Sequence, residues 1–393
     1  MQKAVRQAAR VSFREASEDL RELAEVSISP THLQRLSHRV GREWGQIRDQ
    51  QVQAYRERSL PRDYAEAPRA AAVMIDGGRL QTRAGESGRG VHEPSWQETK
   101  VACCLSLSSK VHTRDPQPEP PAKFLDPPQV TRLALELKSR GRLPVGRTPS
   151  PGRRKPPRRK AKRRGPRQRV RTVVATMANA ETFGWQMAAE VHRRGLDRAP
   201  RKACVCDGQK YNWTLFEMHL LPSGFIPILD FLHLLAYLHD AAGACKPEDR
   251  RAAWKQYETW LRWAWAGEVQ RLRASLRQAA RALGPVPAGA AEDDPRRIVA
   301  DTLNYVEHNR QRMNYPQYRK WGLPISSAAV ESTIKQINRR MKGSEKFWLK
   351  GGAEALLQIR AAYLSQDGRA ERYWARPRPH GRAAGTGRLR PAA

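Results

Sequence analysis

The chain has 393 residues, of which 39% are hydrophobic, and its 72 lysines and arginines against 39 acidic residues give a formal charge of +33. This length predicts two or three domains, and the absence of apolar runs of about 18 residues or of a signal-peptide core argues for a cytoplasmic protein without membrane contact. The one-sided positive charge is typical of nucleic-acid binding, because phosphate backbones attract it through counterion release, whereas solubility alone does not require it.

Residues 12–47 have the pattern of two helices around a tight turn. Ser12 and Glu15 have the spacing of a capping box, and Ser29 before a proline marks the second helix start. The second helix carries a basic stripe beside its apolar one, consisting of His32, Arg35, Arg39 and Arg42. The pattern predicts a helix-turn-helix-like DNA-binding region over 1–66, with the three arginines as DNA contacts. An amphipathic hairpin with a solvated cationic face fits equally well.

The region 67–242 has the pattern of a mixed sheet flanked by helices. Strands are predicted over 71–76, 79–84 and 96–108, with a turn at Gly77-Gly78. A Pro- and Arg-rich stretch over 109–170 is interpreted as a partly disordered insertion with one short helix. Strands alternate with helices again from residue 172 onward, which predicts an α/β class.

The segment 243–314 is helical in pattern throughout and is interpreted as an all-helical insertion. Its tryptophans recur at helical spacing, which favours a helical core over base stacking. Residues 315–370 are interpreted as a return to the sheet-containing core, and the basic tail 371–393 is predicted to be disordered. The five cysteines lack zinc-finger spacing, so a structural zinc site is not expected.

Three acids have surroundings that suggest metal chemistry. Asp76 and Asp207 end short apolar runs, and Glu331 lies in the first turns of a basic helix. Two Asp and one Glu suffice for divalent metals that cleave phosphodiesters, provided that a shared sheet brings them together. Each acid also has a plainer interpretation, because Asp-Gly often marks a turn and Glu331 could form an i, i+4 pair with Lys335.

Other residues near these acids extend the candidate site. Asp230 and His233 are one helical turn apart just after a predicted strand, where a helix cap and a hydrogen bond would be their plainest role. Four basic residues follow Glu331 and are predicted to contact a phosphate backbone: Lys335, Arg339, Arg340 and Lys342.

These blocks together resemble those of a known family, the bacterial insertion-sequence transposases of the ISKra type. Residues 322–348, which include Leu-Pro-Ile-Ser-Ser-Ala-Ala-Val-Glu-Ser and Met-Lys-Gly-Ser, are similar to the family's third-acid block. Residues 206–213 and 228–233 resemble its second-acid block with a D-x-x-H element, and residues 74–77 resemble its first-acid strand. The similarity runs in order from about residue 12 to residue 365.

The resemblance implies a ribonuclease H-like catalytic core with an all-helical insertion, preceded by a DNA-binding region. It makes Asp76, Asp207 and Glu331 the catalytic, metal-binding triad for two Mg²⁺ or Mn²⁺ ions, with Asp230 and His233 as a supporting pair. The implied reaction is nicking at transposon ends, followed by attack of the freed 3′-hydroxyl on target DNA. The expected partners are terminal-repeat and target DNA, with a homo-oligomer at the nucleoid when two ends are synapsed.

One alternative stays open. Relatives often carry paired cysteines upstream, whereas this chain starts close to the helical hairpin, and the Pro/Arg-rich residues 137–170 match none of the blocks. The chain could therefore be a truncated, catalytically inactive DNA-binding remnant or self-regulator. Binding of RNA through the Arg-rich segment is less favoured, because that segment lacks interleaved aromatic residues.

Overall fold

The computed structural model describes residues 1–64, 66–84, 95–138, 165–343 and 346–376. Six strands form one sheet in this part of the chain: β1 (Ala70–Arg83), β2 (Ser95–Ser108), β3 (Arg167–Thr176), β4 (Lys202–Cys206), β5 (Ile226–Leu229) and β6 (Trp348–Leu349). The helices are α1 (Gln2–Ala8), α2 (Phe13–Ala24), α3 (Pro30–Arg56), α4 (Pro127–Lys138), α5 (Ala180–Arg193), α6 (Lys210–His219), α7 (Phe231–Cys245), α8 (Arg250–Ala266), α9 (Val269–Leu283), α10 (Pro295–Asn309), α11 (Tyr315–Lys320), α12 (Ala328–Met341), α13 (Lys350–Leu364) and α14 (Arg369–Ala375).

The sheet is mixed, with the strand order β3-β2-β1-β4-β5. Strand β2 runs antiparallel to both β1 and β3, whereas β4 is parallel to β1 and β5 is parallel to β4. The short strand β6 pairs with the far end of β1. The predicted α/β class and mixed sheet are confirmed.

Strand β1 differs from its prediction because it is continuous through Gly77 and Gly78. Strand β2 pairs with it over nearly its whole length, and the two glycines lie opposite Lys100 and Thr99. The predicted turn is therefore wrong, since cross-strand pairing with β2 holds these glycines in the strand. The parallel partner β4 is shorter, and its pairing with β1 ends at Ile75, just before Asp76.

The stretch predicted as an insertion over 109–170 is partly structured. Helix α4 is the short helix predicted in this stretch, and the preceding segment packs on α8. There, the Tyr257 hydroxyl donates to the Phe124 carbonyl at 3.0 Å and the Trp265 indole N–H donates to the Gln117 carbonyl at 2.9 Å. Strand β3 begins at Arg167, earlier than predicted, because it pairs with β2 as far as Ser108. Residues 139–164, which hold much of the Arg-rich run, lie outside the described residues.

Most of the core lies between the sheet and its helices, and it extends into the helical segment α8–α10. Trp260 and Trp265 are 1% and 3% exposed, so their side chains belong to this core. A second cluster joins α1–α3 to Ile359 of α13 and Tyr373 of α14. The N-terminal helices therefore pack on the C-terminal part of the chain.

The two helices predicted within 12–47 form with the expected caps. The Ser12 and Ser29 hydroxyls accept hydrogen bonds from the backbone N–H groups of Glu15 and His32, at 3.1 and 3.2 Å. Helix α3 continues past the predicted end to Arg56, and α1 precedes the pair.

Helix α14 occupies the start of the tail that was predicted to be disordered from residue 371, and residues 377–393 lie outside the described ranges. Among the described helices, none has the length and apolar character needed to cross a bilayer.

Candidate active site

Three acids occupy equivalent register positions on three neighbouring parallel strands: Asp76 lies within β1, just past its last parallel pair with β4, and Asp207 and Asp230 directly follow β4 and β5. Ile75 is the register partner of Cys206, and Cys206 is the partner of Leu229. The next residues along the three strands are Asp76, Asp207 and Asp230, and the Asp230 N–H donates to the Cys206 carbonyl at 2.8 Å. The sheet thus brings two acids that are far apart in sequence, Asp76 and Asp207, to one edge.

The carboxylate of Asp207 is oriented by the loop that follows it. Its Oδ1 accepts hydrogen bonds from the Gln209 N–H at 3.1 Å and from the Asn212 side-chain amide at 2.9 Å. Within the described residues no hydrogen bond reaches Oδ2, which leaves this oxygen available to a cation. The sequence indicated Asp207 but not Asn212 as the group that orients it.

Asp230 is fully buried and uses both of its oxygens as acceptors. Oδ1 accepts from the Leu232 N–H, which caps α7, and from the Ser327 N–H at 3.1 Å. Oδ2 contacts His233 Nδ1 at 2.5 Å and the Ser327 hydroxyl at 2.8 Å. With its acceptor positions occupied, Asp230 fixes its neighbours rather than offering a free ligand.

Ser327 links this cluster to Glu331 on α12. Its hydroxyl lies 2.8 Å from Asp230 Oδ2 and 2.9 Å from Glu331 Oε1. Because one hydroxyl has a single proton, it donates to only one of two carboxylates. Burial and the charge of Asp230 raise the pKa of Glu331, whereas the hydrogen bond that Ser327 donates to it lowers this pKa. No sequence pattern singled out Ser327 as this bridge.

Burial and neighbouring charges change the ionisation of Asp76 and His233. Burial and the negative charge of Asp207 raise the pKa of Asp76 to about 7, and Glu331 adds to this rise. Burial by itself would lower the pKa of His233, but its hydrogen bond to Asp230 and the charges of Asp230, Asp207 and Asp76 raise it to about 9. In neutral solution His233 is therefore a cation that offsets part of the acidic charge.

The donor set fits a hard divalent cation. Among the described residues, the acid and histidine ligand atoms that lie within 4.8 Å of one another are those of Asp230, His233 and Glu331, so Asp76 and Asp207 are not part of this closest group. The charge of Asp207, which adds to the effect of burial on the pKa of Asp76, is what a cation would relieve. Carboxylate oxygens suit Mg²⁺ or Mn²⁺. Asp76, Asp207 and Glu331 are the groups that could hold such ions, and Asp230 supports Glu331 through Ser327.

The residues predicted to contact DNA differ in their exposure to solvent and in their contacts within the protein. Arg35, Arg39 and Arg42 are all exposed along α3, as the basic stripe predicts, and Arg339 is exposed on α12. Lys335 does not form the predicted pair with Glu331 but contacts Glu136 at 2.9 Å, and the Lys342 ammonium lies over the Trp96 ring at 5.7 Å.

Arg340 departs from the expectation that it contacts DNA. Its side chain is 3% exposed, and Nε donates to the Ala8 carbonyl at 2.9 Å. Its guanidinium lies between the rings of Phe13 and Trp348, at 4.8 and 5.2 Å from their centres. The next residue of a helix points about 100° around the axis, so Arg340 faces the N-terminal helices while Arg339 faces solvent. Arg340 therefore connects α12 to α1.

Comparisons with protein-family models, with curated proteins and with solved structures give no significant match.

Proposed function

We propose that this chain is a DDE-type DNA transposase that cuts DNA at the ends of an insertion sequence and transfers the cut strands to target DNA. The observation that carries the proposal is the adjacency of Asp76 and Asp207 on neighbouring parallel strands, each one residue beyond the last parallel pair of β1 and β4, with Glu331 close enough to raise the pKa of Asp76. The strand order, with β2 as the antiparallel strand, is compatible with the ribonuclease H-like core that the sequence resemblance implies.

The proposed chemistry is metal-dependent phosphoryl transfer. Two Mg²⁺ or Mn²⁺ ions, when bound, would activate the attacking oxygen and stabilise the leaving oxygen of a phosphodiester. Asp76, Asp207 and Glu331 would hold them. Asn212 orients the carboxylate of Asp207, and Asp230 holds both Ser327 and His233 in place.

The reaction would proceed in two steps, a hydrolysis followed by a transesterification. A water oxygen first attacks the phosphorus at the element's end, the P–O3′ bond breaks, and a 3′-hydroxyl is released. That hydroxyl then attacks a target phosphodiester and displaces a second 3′-oxygen. The transesterification breaks one phosphodiester for each one formed, so it requires no external energy source.

The surface charge suits a DNA substrate. The exposed arginines of α3 and Arg339 supply phosphate contacts away from the acids, and the exposed Lys210 follows Asp207 closely in the chain. Two transposon ends must be held together for strand transfer, so we propose a homo-oligomer on DNA, located at the nucleoid in the cytoplasm.

The test uses the full chain and the DNA that flanks its gene, with Mg²⁺ or Mn²⁺. Wild type is expected to nick and join these ends, and Asp207→Asn to reduce the rate by at least about 100-fold, because it removes a metal ligand. Asp293→Asn, at an exposed aspartate outside the site, is the matched control and should retain the activity.

Equal rates for wild type and Asp207→Asn would overturn the proposal. Salt-sensitive binding of the ends without any metal-dependent cleavage would instead support the non-catalytic DNA-binding protein that the sequence left open.

A further inference from the structure

The loop that carries Asp207 is held from the helical segment α8–α10 as well as from the sheet. The Tyr305 hydroxyl of α10 donates a hydrogen bond to the backbone carbonyl of Asp207 at 2.8 Å. This segment enters the chain between Asp230 and Glu331, and the sequence assigned it no chemical role. This contact places helix α10 of the inserted segment directly against the backbone of a candidate metal ligand.

A second contact from α10 holds Trp213 of α6, the helix that follows the loop carrying Asp207. Asn309, which is 2% exposed, accepts a hydrogen bond from the Trp213 indole N–H at 3.0 Å. Its side-chain amide also donates to the Tyr305 carbonyl at 2.9 Å. Arg312, just beyond α10, lies over the Trp213 ring at 4.2 Å. The segment from Asp207 to Trp213 is therefore attached to α10 at both ends.

Gly208 leaves the loop little room to move away from Tyr305. Its φ of +91° is a conformation that residues with a side chain rarely adopt, and a Cβ at this position would lie 2.7 Å from a Tyr305 ring carbon. The Tyr305 ring thus fills the space next to the Asp207 backbone.

Tyr305 is itself held against the helix that carries His233. Its ring stacks on Tyr237 of α7, with ring centres 4.0 Å apart and an angle of 13° between the planes. Tyr237 lies one turn beyond His233 on α7, so both residues share one face of that helix. Tyr305 therefore connects Asp207 to the element that carries His233.

We propose that Tyr305 is a positioning residue for the metal site and that, through its hydroxyl, the α8–α10 segment sets the affinity of Asp207 for the divalent ion. This inference rests on the proposed function. A ligand carboxylate must be held within about 0.5 Å of its productive position, and groups that support metal ligands typically change affinity about 10- to 100-fold when removed. The Tyr305 hydroxyl acts on the backbone that sets the direction of the Asp207 side chain.

The test compares two tyrosines that make the same kind of bond. Tyr305→Phe removes only the hydroxyl and keeps the ring stack. Tyr257→Phe is the matched control, because the Tyr257 hydroxyl of α8 donates to the Phe124 carbonyl at 3.0 Å and has no contact with the acids. Mn²⁺ binding to the full chain is measured by electron paramagnetic resonance, together with the melting temperature without metal. Asp207→Asn defines the signal that belongs to the site.

Both Phe variants are expected to melt a few degrees below wild type, since each loses one hydrogen bond. Only Tyr305→Phe should weaken Asp207-dependent Mn²⁺ binding, by about 5- to 10-fold. Equal Mn²⁺ affinity in the two Phe variants would overturn the positioning role and leave the proposed function intact. Wild-type Mn²⁺ binding that Asp207→Asn does not change would overturn both.

Discussion

At the scale of single residues, the candidate site disfavours the charged form of Asp76 and favours the charged form of His233. The pKa of Asp76 is raised to about 7 by burial and by Asp207, and the pKa of His233 is raised to about 9 by its acidic neighbours despite its burial. Burial is the larger cause for Asp76, and the negative charge of the neighbouring acids contributes to both shifts. Unfavourable electrostatics of this kind are usual at sites that are stabilised by a bound ligand.

Replacing Asp76 should therefore stabilise the metal-free protein. The folded-state pKa of Asp76 lies above its ordinary value of 3.8, so its contribution to stability is complete below that value and is lost as the pH rises to about 7. In EDTA at pH 8, Asp76→Asn is expected to melt at a higher temperature than wild type, and the difference should shrink at pH 5. Thermal melts at the two pH values measure this.

Added Mg²⁺ should reverse that order, because it binds and stabilises wild type, whereas the variant has lost one of the metal ligands. Asp293→Asn is the control and should change neither result. A lower melting temperature for Asp76→Asn in EDTA at pH 8 would contradict the assigned repulsion.

At the scale of elements, α3 joins the N-terminal helices to α13. Gly41 of α3 faces α13 so closely that a Cβ there would lie 2.1 Å from the Ala355 carbonyl oxygen. Gly45 is one turn farther along α3 and has no atom within 4 Å of the same position. Helix α3 was predicted from its caps and apolar stripe, but its packing on α13 depends on a residue without a side chain, which periodicity does not reveal.

The two glycines of α3 should respond oppositely to alanine. Gly41→Ala is expected to lower the free energy of unfolding by about 2 kcal/mol or more, since the backbone of α13 must move. Gly45→Ala should raise it by up to about 1 kcal/mol, since alanine favours a helix interior. Urea denaturation measures both, and a neutral Gly41→Ala would show that α3 and α13 are not in contact.

Two adjacent arginines of α12 differ in exposure: Arg339, a proposed DNA contact, is exposed, whereas Arg340 is buried. Arg339→Ala is expected to weaken DNA binding and to reduce the slope of log affinity against log salt concentration by about 1, with little change in melting temperature. Arg340→Ala should instead lower the melting temperature, because it leaves the Ala8 carbonyl without its donor and removes the cation between Phe13 and Trp348. Fluorescence anisotropy over a salt series, paired with thermal melts, distinguishes them. Matching losses in both assays for the two variants would contradict the assignment.

At the scale of the whole molecule, the sequence predicted the α/β class and the strand end at Asp207, whereas Asp76 lies within β1 because pairing with β2 continues that strand to Arg83. The apolar runs and turn residues are local signals, and the sheet register then brought Asp76 and Asp207 together as expected. The supporting groups were not predictable. Ser327, Asn212 and Tyr305 act through tertiary contacts that leave no periodic or spacing pattern, and the burial of Arg340 depends on helices that lie more than 300 residues away in the chain.

The central claim is that Asp76, Asp207 and Glu331 share a divalent-metal site. Anomalous diffraction from crystals of the full chain soaked in Mn²⁺ tests it most directly, because manganese scatters where protein atoms do not. We expect one or two anomalous peaks between Asp76 of β1 and Asp207 after β4, coordinated by these three carboxylates and absent in Asp207→Asn crystals. Peaks confined to other parts of the molecule, or peaks at this site that persist in Asp207→Asn, would contradict the account.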